Sequence, residues 1–409
     1  MKPSQSDCII LGGGAAGLAA CAALSRAGLH ITVVEKLDRV GKKIMAAGNG
    51  RCNLSNADMN PACYGKAATF VSRVFEATPP DEVNAFFASL GLMTAQEEGR
   101  IYPRTMMASS VLDVLRRPCE QDNVHLMTGC EAVSLAPSRR GGWSVQLSTG
   151  EGLFAPTVLC ALGGSAAPHL GTDGAGTRLL GMLGHSITPL YPALVQLKCN
   201  HCALRSLKGV RVPARLTLEI DGASAAQETG ELLFADYGVS GVCVFQLSRY
   251  AAKAIDEKRR VRLLIHLLPE IPDVSAWLDA RIAAMQESDA LSLMTGVFPR
   301  LLTQAILKQA GCSPESIAMR MNRAARLALA EAISAFPLDV TGTQGFKNAQ
   351  VTAGGVSLDE VDPQTMASKR FSGLYLAGEL LDADGPCGGY NLHFAFASGL
   401  TAAKAILTR

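Results

Sequence analysis

The sequence is short of charge, of aromatic rings and of any imbalance between acid and base. Charged residues make up 18% of 409 positions and aromatic residues 5%, with only two tryptophans. Lys and Arg (38) nearly cancel Asp and Glu (36), leaving a formal net charge of +2. So even a balance gives no field to gather nucleic acid or an anionic membrane, and neither is expected as the main partner. The local basic run "EKRRVR" (257–262) reads as a solvated face. Internal repeats and low-complexity tails are also missing. Hydrophobic residues reach 48%, which points to a folded, well-buried protein. Its length exceeds what one core organises, so two or three domains are expected.

Cysteine is present 12 times, but no zinc-finger set can be assembled. "CNHC" (199–202) lacks a second matching pair, and no metal site is expected. Reduced thiols serving as small core residues in a cytoplasmic protein fit this usage.

One long uncharged run exists. From Cys8 to Ser25, beginning "CIILGGGAAGLAAC", no residue is charged. A membrane helix there would hold Gly12, Gly13, Gly14 and Gly17, each costing about 1 kcal/mol in a helix interior. A secretory leader would begin poorly with Lys2 followed by Asp7, and no small-residue cleavage site follows. A strand turning sharply into a helix accounts for more. "DCIIL" is a buried-strand run, and Gly12-Gly13-Gly14-Ala15-Ala16-Gly17 fits G-x-G-x-x-G. "LAACAALSRAG" reads as a helix closed by Gly28, and "HITVVEK" as a second strand ending at Glu35.

Each part has a physical job. Gly12 permits the tight turn, Gly14 lets backbone approach a pyrophosphate, and Gly17 lets helix and strand pack closely. The helix N-terminus offers free N–H groups and the positive end of its dipole. Glu35 is placed to accept both ribose hydroxyls of an adenosine, as in FAD or NAD; it would repel the 2′-phosphate of NADP.

The remainder favours FAD. Lys36 opens a glycine-punctuated basic loop, "KLDRVGKKIMAAGNGRCNLSN" (36–56), of the kind that wraps a pyrophosphate and approaches a flavin. At the far end, "FSGLYLAGELLDADGPCGGYNLHFAFASGLTAAKAI" (371–406) reads as strand, glycine-rich loop and helix. Gly388, Gly389 and that helix N-terminus can face the flavin's pyrimidine edge. Glu379 or Asp382 can hold ribityl hydroxyls. "TVLCALGGSA" (157–166) breaks at Gly163-Gly164, as where a chain crosses close to a dinucleotide. Asp173, ahead of a helix in "GTDGAGTRLLGMLGH", either binds a flavin or substrate hydroxyl or caps that helix.

The expected organisation is α/β. A Rossmann-type FAD-binding domain takes residues 1–190 and 337–409. A small antiparallel β-barrel takes 191–271, with strands continuing near 336–345, and a helical insertion takes 272–336. Strands are expected in "YPALVQLKC", "LKGVRVPARLTLEIDG" and "GELLFADYGVSGVCVFQLS", from their alternation. Helices are expected in "VSAWLDARIAAMQ", "FPRLLTQAILKQAG" and "SIAMRMNRAARLALAEAISA".

Taken together, "GGGAAGL", "VVEK", "GKKIMAAGNGRCNLSN", "ELLFADYGVSG", "QVTAGGV" and "GLYLAGELLDADGPCGGYNLHFAFASG" resemble a bacterial family of NAD(P)/FAD-dependent oxidoreductases. These are aminoacetone-oxidase-like FAD-binding flavoproteins, and a bile-acid-pathway reductase is among them. The resemblance spans nearly the whole chain. It implies FAD, a three-layer ββα Rossmann-type domain, a small barrel and a helical insertion. It implies that Gly12, Gly14, Ala15, Ala16, Gly17 and Glu35 hold the ADP half. Lys43, Arg51 and Asn53 would approach the phosphates and flavin. Val133 would lend backbone contacts to the adenine. Gly378, Glu379, Gly389, Tyr390, Asn391 and Leu392 would line the ribityl and ring end. Where related chains often show G-R-K, this one has Gly41-Lys42-Lys43, which keeps charge but loses the bidentate fork.

No second G-x-G-x-x-G follows a strand, so a nicotinamide would bind transiently over the flavin. The expected activity is oxidation or reduction of a small molecule, with NAD(P)H or O₂ as second partner. Candidates for a proton-handling group are Tyr237, His393, Cys387, Cys52 and Arg104, each with a structural alternative. Whether Cys52 and Cys387, both in flavin-side loops, form a redox disulfide is left open beside their structural reading. Two other readings stay open: a tRNA-modifying-like flavoprotein using Lys198, Arg205, Lys208, Arg211 and Arg215 on the barrel, and a flavin-binding sensor without turnover. The barrel segment has few aromatics for base stacking.

Overall fold

The computed structural model describes residues 6–409; Lys2 lies outside them. The chain forms two compact units. One joins the chain's two ends, through Leu190 and from Val351 onward, and the other is Tyr191–Gln350.

The first unit is organised by a parallel sheet. Its strands are β1 (Cys8–Leu11), β2 (Ile31–Glu35), β3 (Val124–Thr128), β4 (Thr157–Cys160) and β5 (Leu374–Leu376). Their order is β5-β4-β1-β2-β3, every pair parallel. All four side chains of β1 are wholly buried, as expected of a strand covered on both faces. Connections leave β1 in both directions, which makes the crevice at the strands' carboxyl ends the ligand position of such sheets. Helix α1 (Ala15–Arg26) follows β1 with Gly14 as its N-cap and no side-chain cap. Gly28, with φ +89°, ends it as expected. Helix α2 (Ala175–Leu183) follows β4, and α3 (Tyr390–Leu407) closes the chain. α3 packs across α1 so tightly that a Cβ on Gly399 would lie 2.4 Å from the Ala16 carbonyl oxygen.

A three-stranded antiparallel sheet of Ala132–Pro137, Trp143–Leu147 and Gly152–Ala155 supplies the second β layer. Its fully buried Trp143 donates its indole N–H to the Ser372 carbonyl at 3.2 Å. A smaller sheet pairs Ser55–Asn56, Arg100–Pro103 and Thr94–Glu97.

The second unit contains a closed six-stranded barrel. Its order is Leu197–Asn200, Gly238–Ser240, Ala223–Ala235, Arg211–Ile220, Val261–His266 and Phe336–Thr343. Alternate residues such as Ala214, Leu216 and Leu218 point inward and are fully buried. The expectation of a strand in "GVCVFQLS" is corrected: Val242–Asp256 is a helix. Its buried positions, Cys243, Val244, Leu247, Ser248, Ala251 and Ala252, recur at helical spacing, and this overrides the strand preference of Val and Phe. Helices Val274–Ala284, Arg300–Gln309 and Arg323–Ser334 share one apolar core with the barrel. The last starts later than its apolar pattern suggests. Asn322 accepts the Ala325 N–H at 2.9 Å and sets the start, leaving Ala318–Arg320 as one 3₁₀ turn. Among the described residues no helix is long and apolar enough to cross a membrane.

Candidate functional site

The site grows from the β1–α1 turn. Gly12 has φ +104°, and a Cβ there would meet the Ala161 carbonyl at 2.4 Å. A Cβ on Gly17 would come within 2.0 Å of the Gly12 carbonyl. These two glycines are demanded by packing. Gly14 differs: a Cβ on it would meet nothing within 4 Å. Its backbone faces open space at the start of α1, beside the half-buried Ala15 and the buried Ala16. Helix N–H groups without a side-chain cap, next to an open approach, are what an anion requires.

Glu35 stands at the end of β2. One carboxylate oxygen accepts the Gly13 N–H at 3.0 Å and the other accepts the Leu37 N–H at 2.9 Å. Both oxygens keep a lone pair for a hydroxyl donor. A pocket beside it is lined by Gly12, Val34, Lys36, Glu131, Ala132 and Gly171 among others. Val133 is the next residue of that strand and is 47% exposed. Lys36 pairs with Asp173 at 2.8 Å. Asp173 also accepts the Ala175 N–H at 3.1 Å, a turn that leads into α2, whose N-cap is Gly174. Burial works against its charge, but Lys36 and that N–H hold the carboxyl below its usual range.

On the other side of the turn, Lys43 donates to Glu379 at 2.6 Å and to the Ala166 carbonyl at 3.3 Å. The second Glu379 oxygen accepts the Thr352 N–H at 2.9 Å. The Thr352 hydroxyl in turn accepts the N–H groups of Ser165 and Ala166 at 2.7 and 3.0 Å. Gly163 and Gly164 pass so close that added Cβ atoms would strike Thr172 and Thr352. Thr352 was not anticipated; its signal is a hydroxyl placed among apolar residues in "QVTAGG".

The N-terminus of α3 is bound to the 53–56 loop. Gly389, at φ +97°, is its N-cap, and a Cβ there would lie 2.3 Å from the Ser55 carbonyl. Asn53 accepts the Gly389 N–H at 3.1 Å while its amide donates to the Ser55 carbonyl. Asn56 donates to the Gly388 carbonyl at 2.9 Å. Asn391 clamps the loop before the helix through Gly385 and Pro386. The Tyr390 carbonyl accepts from the buried Tyr64 hydroxyl at 2.8 Å, Leu392 is half-buried beside it, and Gly378 packs against Ala16. The structure thus gathers the glycine turn, Lys43, Asn53 and the 378–392 segment in one unit.

Other expected residues are placed differently. Arg51 is engaged by Glu97 at 2.5 Å and stacks 4.4 Å over the Tyr102 ring, which turns its guanidinium toward the small sheet. Arg104 is exposed. Tyr237 lies in the barrel unit, its phenol pushed up by burial. His393 is wholly buried; its Nδ1 is 2.8 Å from the Ser55 hydroxyl, and Nε2 has no partner. Burial pushes this imidazole down to about 4, so it is neutral. Cys52 and Cys387 form no disulfide. Burial pushes Cys52 up to about 12. Among the described residues no group of His, Cys, Asp and Glu is arranged for a metal.

The residues present fit FAD. Open backbone faces the start of α1, a carboxylate and pocket stand at the end of β2, and one buried Asp382 oxygen has no hydrogen-bond partner. That oxygen suits a hydroxyl or imide donor.

Comparison with known proteins agrees. The chain is 37% identical over 405 residues to the 3-dehydro-bile acid delta(4,6)-reductase of Clostridium scindens, covering 98% of each. It is 28% identical to the ribosomal RNA dihydrouridine synthase of Escherichia coli, again covering 98% of each. In fold it is similar to 3-ketosteroid delta1-dehydrogenase from Sterolibacterium denitrificans, with TM-score 0.51, 14% identity and 99% of each chain covered. The cofactor is FAD and the protein is an FAD-dependent oxidoreductase. Residues 6–405 match the model of the HI0933-like protein Rossmann domain, and the chain belongs to that family.

Proposed function

We propose that this protein reduces a carbon–carbon double bond conjugated to a carbonyl in an apolar small molecule, taking electrons from NAD(P)H. Two relatives support the bond type. A 3-dehydro-bile acid carrying delta(4,6) unsaturation is a conjugated enone. Uridine, the precursor of dihydrouridine, holds its reducible bond beside a carbonyl. The bound FAD supplies hydride transfer. The chain's own residues position it. Gly12, Gly14, Ala15, Ala16, Gly17 and Glu35 hold the ADP half, with Lys36 fixed by Asp173 alongside and the Glu131–Val133 backbone beside the adenine. Gly163, Lys43, Glu379 and Gly378 border the ribityl chain. Asn53, Gly389, Tyr390, Asn391 and Leu392 present the α3 N-terminus, whose dipole favours negative charge on the ring.

One observation carries the choice of a small molecule over RNA. Most of the barrel's cations are already engaged: Lys208 with Asp236, Arg211 with Glu231, Arg259 with Asp221, and Arg262 with Asp339. Arg215 donates to the Pro269 carbonyl. Paired cations offer phosphates little. Twelve cysteines without a disulfide among them support a reducing, cytoplasmic setting.

The test is anaerobic reduction by NADH or NADPH, followed by a panel of 4-en-3-oxo steroids and a uridine-containing ribosomal RNA fragment. Flavin reoxidation by an enone, with a product two hydrogens heavier, is expected. Dihydrouridine in the RNA with no enone turnover would overturn the proposal.

A further inference from the structure

Cys21 lies midway along α1, and Cys119 lies in the 3₁₀ turn Arg117–Glu120, which follows the helix Ala108–Arg116. Their sulfurs are 3.6 Å apart and share a hydrogen bond, although 98 positions separate them in sequence. Cys21 is wholly buried and Cys119 is 5% exposed. The cofactor site uses neither.

The two thiols are not equivalent. The Cys119 thiol donates to the Cys21 sulfur. Cys119, the more exposed of the two, is the sulfur that an oxidant reaches first, and Cys21 behind it is placed to resolve.

We propose that Cys21 and Cys119 are a reversible, peroxide-oxidised pair that staples α1 to the 117–120 turn. The oxidant is hydrogen peroxide, which reduced flavin generates when O₂ intercepts its electrons. The Cys119 sulfur attacks one peroxide oxygen. An S–O bond forms, the O–O bond breaks, and water leaves carrying the thiol proton. Cys21 sulfur then attacks the Cys119 sulfur. The S–S bond forms, the S–O bond breaks, and a second water leaves with the Cys21 proton. Two thiols and one peroxide become one disulfide and two waters. Closing from 3.6 Å to an S–S bond moves the sulfurs by roughly 1.5 Å, within reach of the turn. The staple holds the helix whose N-terminus faces the cofactor.

FAD-loaded protein is treated with hydrogen peroxide, residual thiols are alkylated, and peptides are mapped by mass spectrometry. The expected result is a Cys21–Cys119 linked peptide that dithiothreitol reverses. The expected companion is a rise in Tm of about 5 °C. In Cys21→Ser the resolving sulfur is gone, and a dione probe should trap Cys119 as a sulfenic acid. Recovery of both thiols as alkylated, after peroxide has oxidised the exposed Cys202, overturns the proposal. So does a linked peptide joining either cysteine to another. Mapping of wild-type protein decides the matter alone should Cys21→Ser fail to fold.

Discussion

Lys43 and Glu379 are 336 positions apart in sequence and 2.6 Å apart in space. That ion pair joins the loop after β2 to the segment after β5, so it ties the two ends of the chain together beside the glycine turn. Both side chains keep about a quarter of their surface exposed, and the pair alone contributes modestly to stability. Its value lies in position. Glu379→Ala frees Lys43 and leaves the Thr352 N–H without its acceptor. FAD affinity should fall about tenfold, which is about 1.4 kcal/mol, read by fluorescence titration of the apoprotein. Unchanged affinity would remove Glu379 from the cofactor site.

Gly14 and Gly17 should separate binding from folding. At Gly17 a Cβ meets backbone at 2.0 Å, so Gly17→Ala should destabilise the fold by about 3 kcal/mol. At Gly14 a Cβ meets nothing. Gly14→Ala should keep the wild-type circular dichroism and urea midpoint of the apoprotein, yet bind FAD more weakly. Equal effects of the two substitutions would contradict this division.

His393 should make the protein acid-sensitive. Its folded imidazole titrates at about 4, below the ordinary 6.5, because burial penalises the charged form. Between those values the unfolded chain binds the proton and the folded chain does not, so stability falls as pH drops from about 6.5 toward 4, by up to roughly 3 kcal/mol. His185 acts in the same direction, its imidazole lowered by burial and partly restored by Glu360. Glu360 itself is held at about 2; its contribution is lost only as pH falls from about 4.5 through that value. Urea unfolding at pH 7.5 and 5.5 isolates the histidines, and His393→Gln should flatten the difference.

Arg51 offers a contrasting case. Its guanidinium is occupied by Glu97 and the Tyr102 ring. Arg51→Ala should leave FAD affinity within about threefold of wild type, less than 0.7 kcal/mol. A larger loss would return Arg51 to the phosphate-binding role that its loop suggested.

Several of these placements were legible beforehand and others were not. The β1–α1–β2 unit is local: its glycines, apolar runs and terminal acid lie within one short stretch, where spacing and geometry correspond directly. The same holds for the helix cap at Gly28. Val242–Asp256 was misread because an apolar run with β-branched residues satisfies strand and helix alike until burial chooses between them. Arg51 could not be placed, since a long cation follows whichever acceptor the fold brings near, here a glutamate on a neighbouring strand. Thr352 and the Ser55–His393 contact were invisible for a related reason: each joins segments that only folding makes adjacent.

By itself, then, the amino-acid order determined a glycine turn between β1 and α1, an acid ending β2, a barrel and an α/β class, because these follow from short-range sterics and periodicity. The tertiary structure alone decided which cation meets Glu379, which thiols touch and which histidine is kept uncharged. Those outcomes depend on distances between remote segments, and distance in space is set by the packing of the whole core.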